Sequence, residues 1–204
     1  LNKAFIHRNI TNKAFGVLKW AMSIDGRVAL QNGKSKWITN EKSRSLVHSF
    51  RAEFDAIIIG GNTLRKDNPL LTTRGSKTPE PLRVVFTKSL DLPSKSNLWD
   101  CNKAKTLVIY DSSTANESYL TRIPKSVEVE KVSSDNPELI SKILAKRGCN
   151  KVLWECGPRL ATAAIQSKCI QEIITFIAPK ILGGENCMNP FGDFEFEEMN
   201  EIIK

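Results

Sequence analysis

At 204 residues the chain has the length of one compact domain with a sizeable core. Apolar content of 41% and charged content of 25% are ordinary for a globular protein, and no apolar run approaches the roughly 20 residues that a membrane helix needs. The net charge of +8 comes from scattered lysines without interleaved aromatics, which argues against a nucleic-acid partner and suits a pocket that draws in anionic ligands.

Cys101, Cys149, Cys156, Cys169 and Cys187 are odd in number and contain no C-x-x-C pair, so neither a disulfide framework nor a zinc site follows. Reduced thiols point to the cytoplasm, or to a plastid stroma in a plant. The chain does not start with Met and opens without a basic-then-apolar leader, so it reads as a piece of a longer protein.

In chain order, residues 1–14 are polar and irregular, a linker or docking arm. Residues 15–22 form the first strand. Leu46, Val47, Phe50 and Phe54 recur at helical spacing after a Thr39-Asn40 cap, which predicts a helix over 40–54. The run of Ala56, Ile57, Ile58 and Ile59 before Gly60 and Gly61 reads as a strand buried on both faces. Further strands are expected over 82–87, 106–110, 127–132, 151–154 and 172–178. Leu139, Ile140, Ile143 and Leu144 mark one helix. Leu160, Ala161, Ala164 and Ile165 mark another, with Pro158 near its first turn. Strands alternating with helices indicate a single α/β domain with a central, mostly parallel sheet flanked by helices.

Chemistry is expected where strands end. Lys19 follows Phe15, Val17 and Leu18 and precedes a turn ending in Asp25-Gly26. An unpaired ammonium is costly to bury, so Lys19 either reaches a cleft at the strand's mouth or keeps its head in water on an edge strand. Two strand–glycine–helix junctions, Gly60-Gly61-Asn62-Thr63 and Glu155-Cys156-Gly157-Pro158-Arg159-Leu160-Ala161, can present free N–H groups to an anion, or can be plain tight turns. Neither matches a standard nucleotide fingerprint. Glu155 stands at the mouth of an apolar strand, as a ring contact or a paired structural carboxylate. Arg51 and Arg74 read either as anion ligands or as solvated charges. Glu53 and Asp55 read as helix-end charges. His48 is expected on a helix surface and, like His7, has no partner motif.

Five stretches in order carry a resemblance: residues 19–26, 33–39, 51–61 with the Asn62-to-Arg74 segment, 153–161, and 177–184. Taken together, from about residue 2 to about 190, the chain resembles the reductase domain of the riboflavin-biosynthesis deaminase/reductase, in the dihydrofolate-reductase-like superfamily. The resemblance implies NADPH-dependent reduction of 5-amino-6-(5-phosphoribosylamino)uracil to its ribitylamino form. It implies cofactor contacts at Ala21, Trp37, Gly61, Thr63, Asp67, Gly157, Pro158, Arg159, Leu160, Ala161, Thr162 and Ala163. Substrate contacts are implied at Ser35, Arg51, Leu71, Arg74 and Glu155. Lys19 would orient or polarise the reacting carbon, with Asp25 assisting through the turn. Arg159 and Lys88 stand beside the cofactor loops, as 2′-phosphate ligands or surface charges.

The family's usual upstream zinc deaminase has H-x-E and P-C-x-x-C signatures, and this chain has neither, so no metal and no deamination are expected. Residues 1–14 would be the joint to such a domain and 15–204 a reductase domain that ends short, since the family continues by another strand or two. A homodimer is also implied. The competing readings are a pteridine or dihydrofolate-type reductase, against which the Arg51, Arg74 and Glu155 set argues, and a catalytically silent partner domain.

Overall fold

The computed structural model describes residues 2–192. Its elements run α1 (Lys3–Thr11), β1 (Phe15–Ser23), α2 (Glu41–Phe50), β2 (Ala56–Gly60), α3 (Gly61–Asp67), β3 (Leu82–Thr87), β4 (Thr106–Asp111), β5 (Glu128–Val132), α4 (Pro137–Lys146), β6 (Lys151–Trp154), α5 (Pro158–Gln166) and β7 (Glu172–Ala178). All seven strands join one sheet in the order β5-β4-β3-β2-β6-β1-β7, and every neighbouring pair is parallel.

Alternation within the strands divides the core. Leu18, Ile58, Val84, Ile109, Val152 and Trp154 face one side with Ile140, Leu144, Ala161 and Ala164 of α4 and α5. Val17, Ile57, Ile59, Val85, Val108 and Leu153 face the other, against Leu64 of α3 and the loop residues Leu90, Leu98 and Trp99. Both faces are covered, which is why β2 and β4 read as continuous apolar runs. Arg83, with no exposed surface, donates from its terminal nitrogens to the carbonyls of Leu70, Asn97, Leu98, Asp100 and Ala104. It ties the 97–104 segment to the loop after α3.

Two expectations need correction. The segment expected to be irregular holds a helix over Lys3–Thr11: Asn2 caps it by accepting from the Phe5 amide, and it docks through Arg8 on the Gly148 carbonyl and Lys3 beside Glu172. No residue of α1 is buried, so it lacks the apolar stripe by which a helix is read. The helix expected over 40–54 ends at Phe50 and tightens into a 3₁₀ turn at Arg51–Glu53, after which Phe54 is extended. That tightening matters, because it buries Arg51. The short C-terminal end expected of the 15–204 domain lies outside the described residues.

From β1 the chain steps to β2 and onward, leaving a slot that β6 later fills, and then crosses to β7 on the far side of β1. Such a reversal opens a crevice at the carboxyl ends of the strands involved.

Candidate active site

The register places Leu18 of β1 and Ile58 of β2 on either side of Trp154, the last residue of β6. The next residue, Glu155, donates its amide to the Ile58 carbonyl at 2.9 Å and stands at the crevice. Lys19, one residue beyond Leu18, reaches Glu155 Oε2 with its Nζ at 3.5 Å. Arg51 arrives from the 3₁₀ turn and grips the same carboxylate with both ends of its fork: Nε to Oε1 at 2.7 Å and Nη2 to Oε2 at 3.1 Å. The three side chains are only 15%, 9% and 10% exposed for Lys19, Arg51 and Glu155. Burial raises the Glu155 pKa, but the Lys19 and Arg51 charges and their hydrogen bonds outweigh it and hold the carboxyl at about 2. The anion therefore persists at any physiological pH and carries two cations.

Arg51 is thus paired to a carboxylate through both ends of its fork. Its Nη1 also donates to the Thr72 carbonyl at 3.2 Å and lies 3.2 Å from His48 Nδ1. Arg74 is different. It is exposed and, among the described residues, makes no hydrogen bond or ion pair. Its loop is held from below: Glu80 accepts from the Thr73 amide and hydroxyl at 2.7 and 2.9 Å, and Lys77 Nζ donates to the Phe54 carbonyl. Leu71 (φ 52°) and Arg74 (φ 55°) both adopt left-handed backbone, a strained conformation for side-chain-bearing residues that only such bracing sustains. Leu71 is 3% exposed, so only its backbone can meet a ligand.

The two glycine junctions lie side by side, since a Cβ on Gly60 would come within 3.6 Å of Leu160 Cδ2. Asparagines cap α1, α2 and α4 with side-chain oxygens, whereas α3 and α5 begin on Gly60 and Gly157 with no side-chain cap. The first amides of α5 are thus left for another acceptor. Gly157 has φ −74° and a Cβ there would meet nothing within 4 Å, so the glycine is demanded neither by backbone angle nor by packing. Gly61 instead packs tightly, with a Cβ 3.1 Å from Thr87 Oγ1. Within α5, Ala161 and Thr162 are buried, and the Thr162 hydroxyl donates to the Pro158 carbonyl and accepts from the Gly192 amide. Pro158, Leu160 and Ala163 are half-buried, and Arg159 is exposed.

The remaining expected residues sit around this centre. Ser35 and Trp37 lie on an exposed loop, where Arg44 stacks over the Trp37 ring at 4.3 Å and Lys180 donates to the Trp37 carbonyl. Lys36 pairs with Asp67 at 3.6 Å, drawing that loop to the end of α3, which also carries half-buried Thr63. Ala21 stands opposite Phe176 of β7. Asp25 makes no hydrogen bond or ion pair with Lys19 among the described residues. It is exposed, and its carboxylate accepts the Leu182 and Gly183 amides at 3.2 and 2.8 Å, fixing the loop after β7. Asp55 is not a helix-end charge: its Oδ2 accepts from the amides of Asn150 and Lys151 and sets the start of β6. His48, expected on the helix surface, is half-buried against Arg51. Its position three residues before an arginine, on one helical face, was the signal available.

Comparison with known proteins identifies the family and the fold. The family model described as RibD C-terminal domain matches residues 14–203. The chain is 42% identical over 204 residues to riboflavin biosynthesis protein RibD of Synechocystis, covering all of this chain and 55% of that protein. It is 39% identical to the chloroplastic riboflavin biosynthesis protein PYRR of Arabidopsis thaliana, covering 34% of it. The chain thus spans between a third and just over half of these relatives. A crystal structure of a diaminohydroxyphosphoribosylaminopyrimidine deaminase/5-amino-6-(5-phosphoribosylamino)uracil reductase from Thermotoga maritima superposes with a TM-score of 0.82 at 27% identity, over 99% of this chain and 54% of that one. Acinetobacter baumannii RibD superposes at 0.83 and 26%, over 100% and 56%. The fold is the dihydrofolate-reductase-like α/β fold of those reductase structures, and the chain belongs to the RibD C-terminal domain family.

Proposed function

We propose that this domain reduces 5-amino-6-(5-phosphoribosylamino)uracil to the 5-phosphoribitylamino compound with NADPH, as the reductase part of a longer protein whose other part is a deaminase. The single observation that carries the reading is the buried Lys19–Glu155–Arg51 cluster just beyond the carboxyl end of β6 and beside the middle of β1, with Arg74, unpaired among the described residues, on the neighbouring loop.

The uncapped start of α5 and the open space over Gly157 suit the pyrophosphate of a dinucleotide, whose charge the free amides and helix dipole favour. Gly157 to Leu160 would hold it chiefly through backbone. Bound NADPH would supply a hydride to C1′ of the ring-opened sugar.

The chain's own residues do the rest. Arg74 offers five donors to the sugar phosphate. Glu155 has a fixed negative charge and lone pairs toward an aminopyrimidine ring. Lys19 holds a proton at Nζ within reach of the crevice, where it polarises the sugar as its C1′–oxygen bond opens and can yield that proton to the departing oxygen. Positioning two ligands at near-attack distance is the main contribution expected of such a site.

Mixing the chain with NADPH and the phosphoribosylaminouracil and following the nicotinamide absorbance tests the reading. Oxidation that depends on the pyrimidine supports it, and no turnover by demonstrably folded protein refutes it. Homodimerisation belongs to the same proposal, with light scattering as its check.

A further inference from the structure

His48 belongs to no expected site, yet the fold delivers it to the centre. It sits in the last turn of α2, one helical turn before Arg51, with Nδ1 3.2 Å from Arg51 Nη1. A guanidinium has donors only, so it must be the donor here, and Nδ1 must carry a lone pair. The imidazole is therefore the neutral tautomer with its proton on Nε2. That Nε2 has no hydrogen-bond partner among the described residues, and it is not among the buried polar atoms left unpaired, so it opens to solvent.

Charges face the ring from every side: Lys19 from β1, Arg51 from the 3₁₀ turn, Arg74 from the loop after α3 and Glu155 from the end of β6. Burial lowers the His48 pKa first, and Arg51, Arg74 and Lys19 add to this against the opposing Glu155. The ring is held neutral at physiological pH, as the tautomer requires. Arg51 Nη1 joins it to the Thr72 carbonyl, two residues before Arg74, so ring and guanidinium are braced on one frame.

We propose that His48 is a further substrate-binding residue, locked by Arg51 at Nδ1 and presenting its Nε2–H, beside Arg74, to the anionic sugar-phosphate end of the ligand. This rests on the function proposed above for the identity of the substrate, but not for the tautomer or the anion contact.

Two measurements test it. The chain has only two histidines, so a long-range ¹H–¹⁵N spectrum, assigned with His48→Gln, reads the tautomer directly. The Nε2–H form is expected, with His48 signals shifting when D-ribose 5-phosphate is added to wild type but not to Arg74→Gly. A protonated Nδ1, or no shift on addition, overturns the proposal.

In turnover assays, His48→Ala should raise KM for the phosphoribosylaminouracil about tenfold with little change in kcat. Glutamine puts an amide donor where Nε2 stands and should recover most of the loss. Asparagine restores only an acceptor for Arg51 and should not. Rescue by asparagine alone, or no effect of any of the three, overturns the contact. A wild type that binds ribose 5-phosphate at His48 but turns over no pyrimidine refutes the proposed function and leaves this inference standing.

Discussion

Replacing Glu155 by glutamine keeps its shape and removes one charge from between two cations. The side chain is 10% exposed, and its partners Lys19 and Arg51 are 15% and 9% exposed, so solvent screens the loss poorly. The carboxyl is held at about 2 against an ordinary 4.5, a difference worth about 3 kcal/mol of folding stability at neutral pH. Breaking a buried pair by removing one partner costs about 3–5 kcal/mol, which agrees. For a domain of this size Glu155→Gln should lower Tm by roughly 6–12 °C at pH 7.

The folded-state pKa lies below the unfolded one, so the stabilisation is complete above about pH 5 and is lost as the pH falls through 4.5 toward 2. Urea unfolding of wild type and variant should show a gap of about 3 kcal/mol at pH 7, shrinking to about 2 kcal/mol at pH 3.5. The variant should still bind NADPH in calorimetry, since the start of α5 does not depend on this carboxylate, while KM for the pyrimidine rises. A gap that is absent at pH 7, or equal at both pH values, refutes the assignment of Glu155 as the anion that holds the cluster.

Three other outcomes are expected. Arg74→Gly should raise the substrate KM about ten- to a hundredfold with NADPH affinity unchanged. Its Tm should hold or rise, because relief of the left-handed strain, roughly 1–2 kcal/mol, offsets the backbone entropy of glycine. An unchanged KM moves the phosphate elsewhere. Gly157→Val should fold normally by circular dichroism, since φ is −74° and the added side chain meets open space, yet lose NADPH in calorimetry. Normal NADPH binding would make that junction a plain turn. Arg83→Met should destabilise the domain by at least about 3 kcal/mol in urea unfolding, because it strands several buried carbonyls at once; a loss under 1 kcal/mol would show that water replaces the guanidinium there.

The central strands were legible in the sequence because they are buried on both faces. Uninterrupted runs such as Ala56 to Ile59 have one stable use, and the observed strand bounds differ from the expected ones by a residue or less. The helix at 158–166 was equally plain from Pro158 and its apolar spacing. The α1 helix was not, since none of its residues is fully buried and only Ala4 and His7 pack toward the sheet, the rest being held by a cap and surface contacts. Lys19, Glu155 and Arg51 could be singled out one at a time as charges at the ends of apolar segments. Their union was beyond reach, because strand order decides it: β6 inserts between β1 and β2 after more than a hundred residues, and only then does Glu155 fall between the other two. The same insertion gave Arg51 a carboxylate partner, while Arg74, on the neighbouring loop, has no hydrogen bond or ion pair among the described residues. Local sequence determines which segments are strands and which charges cap them; long-range pairing determines which charges meet, and meeting sets their protonation and their chemistry.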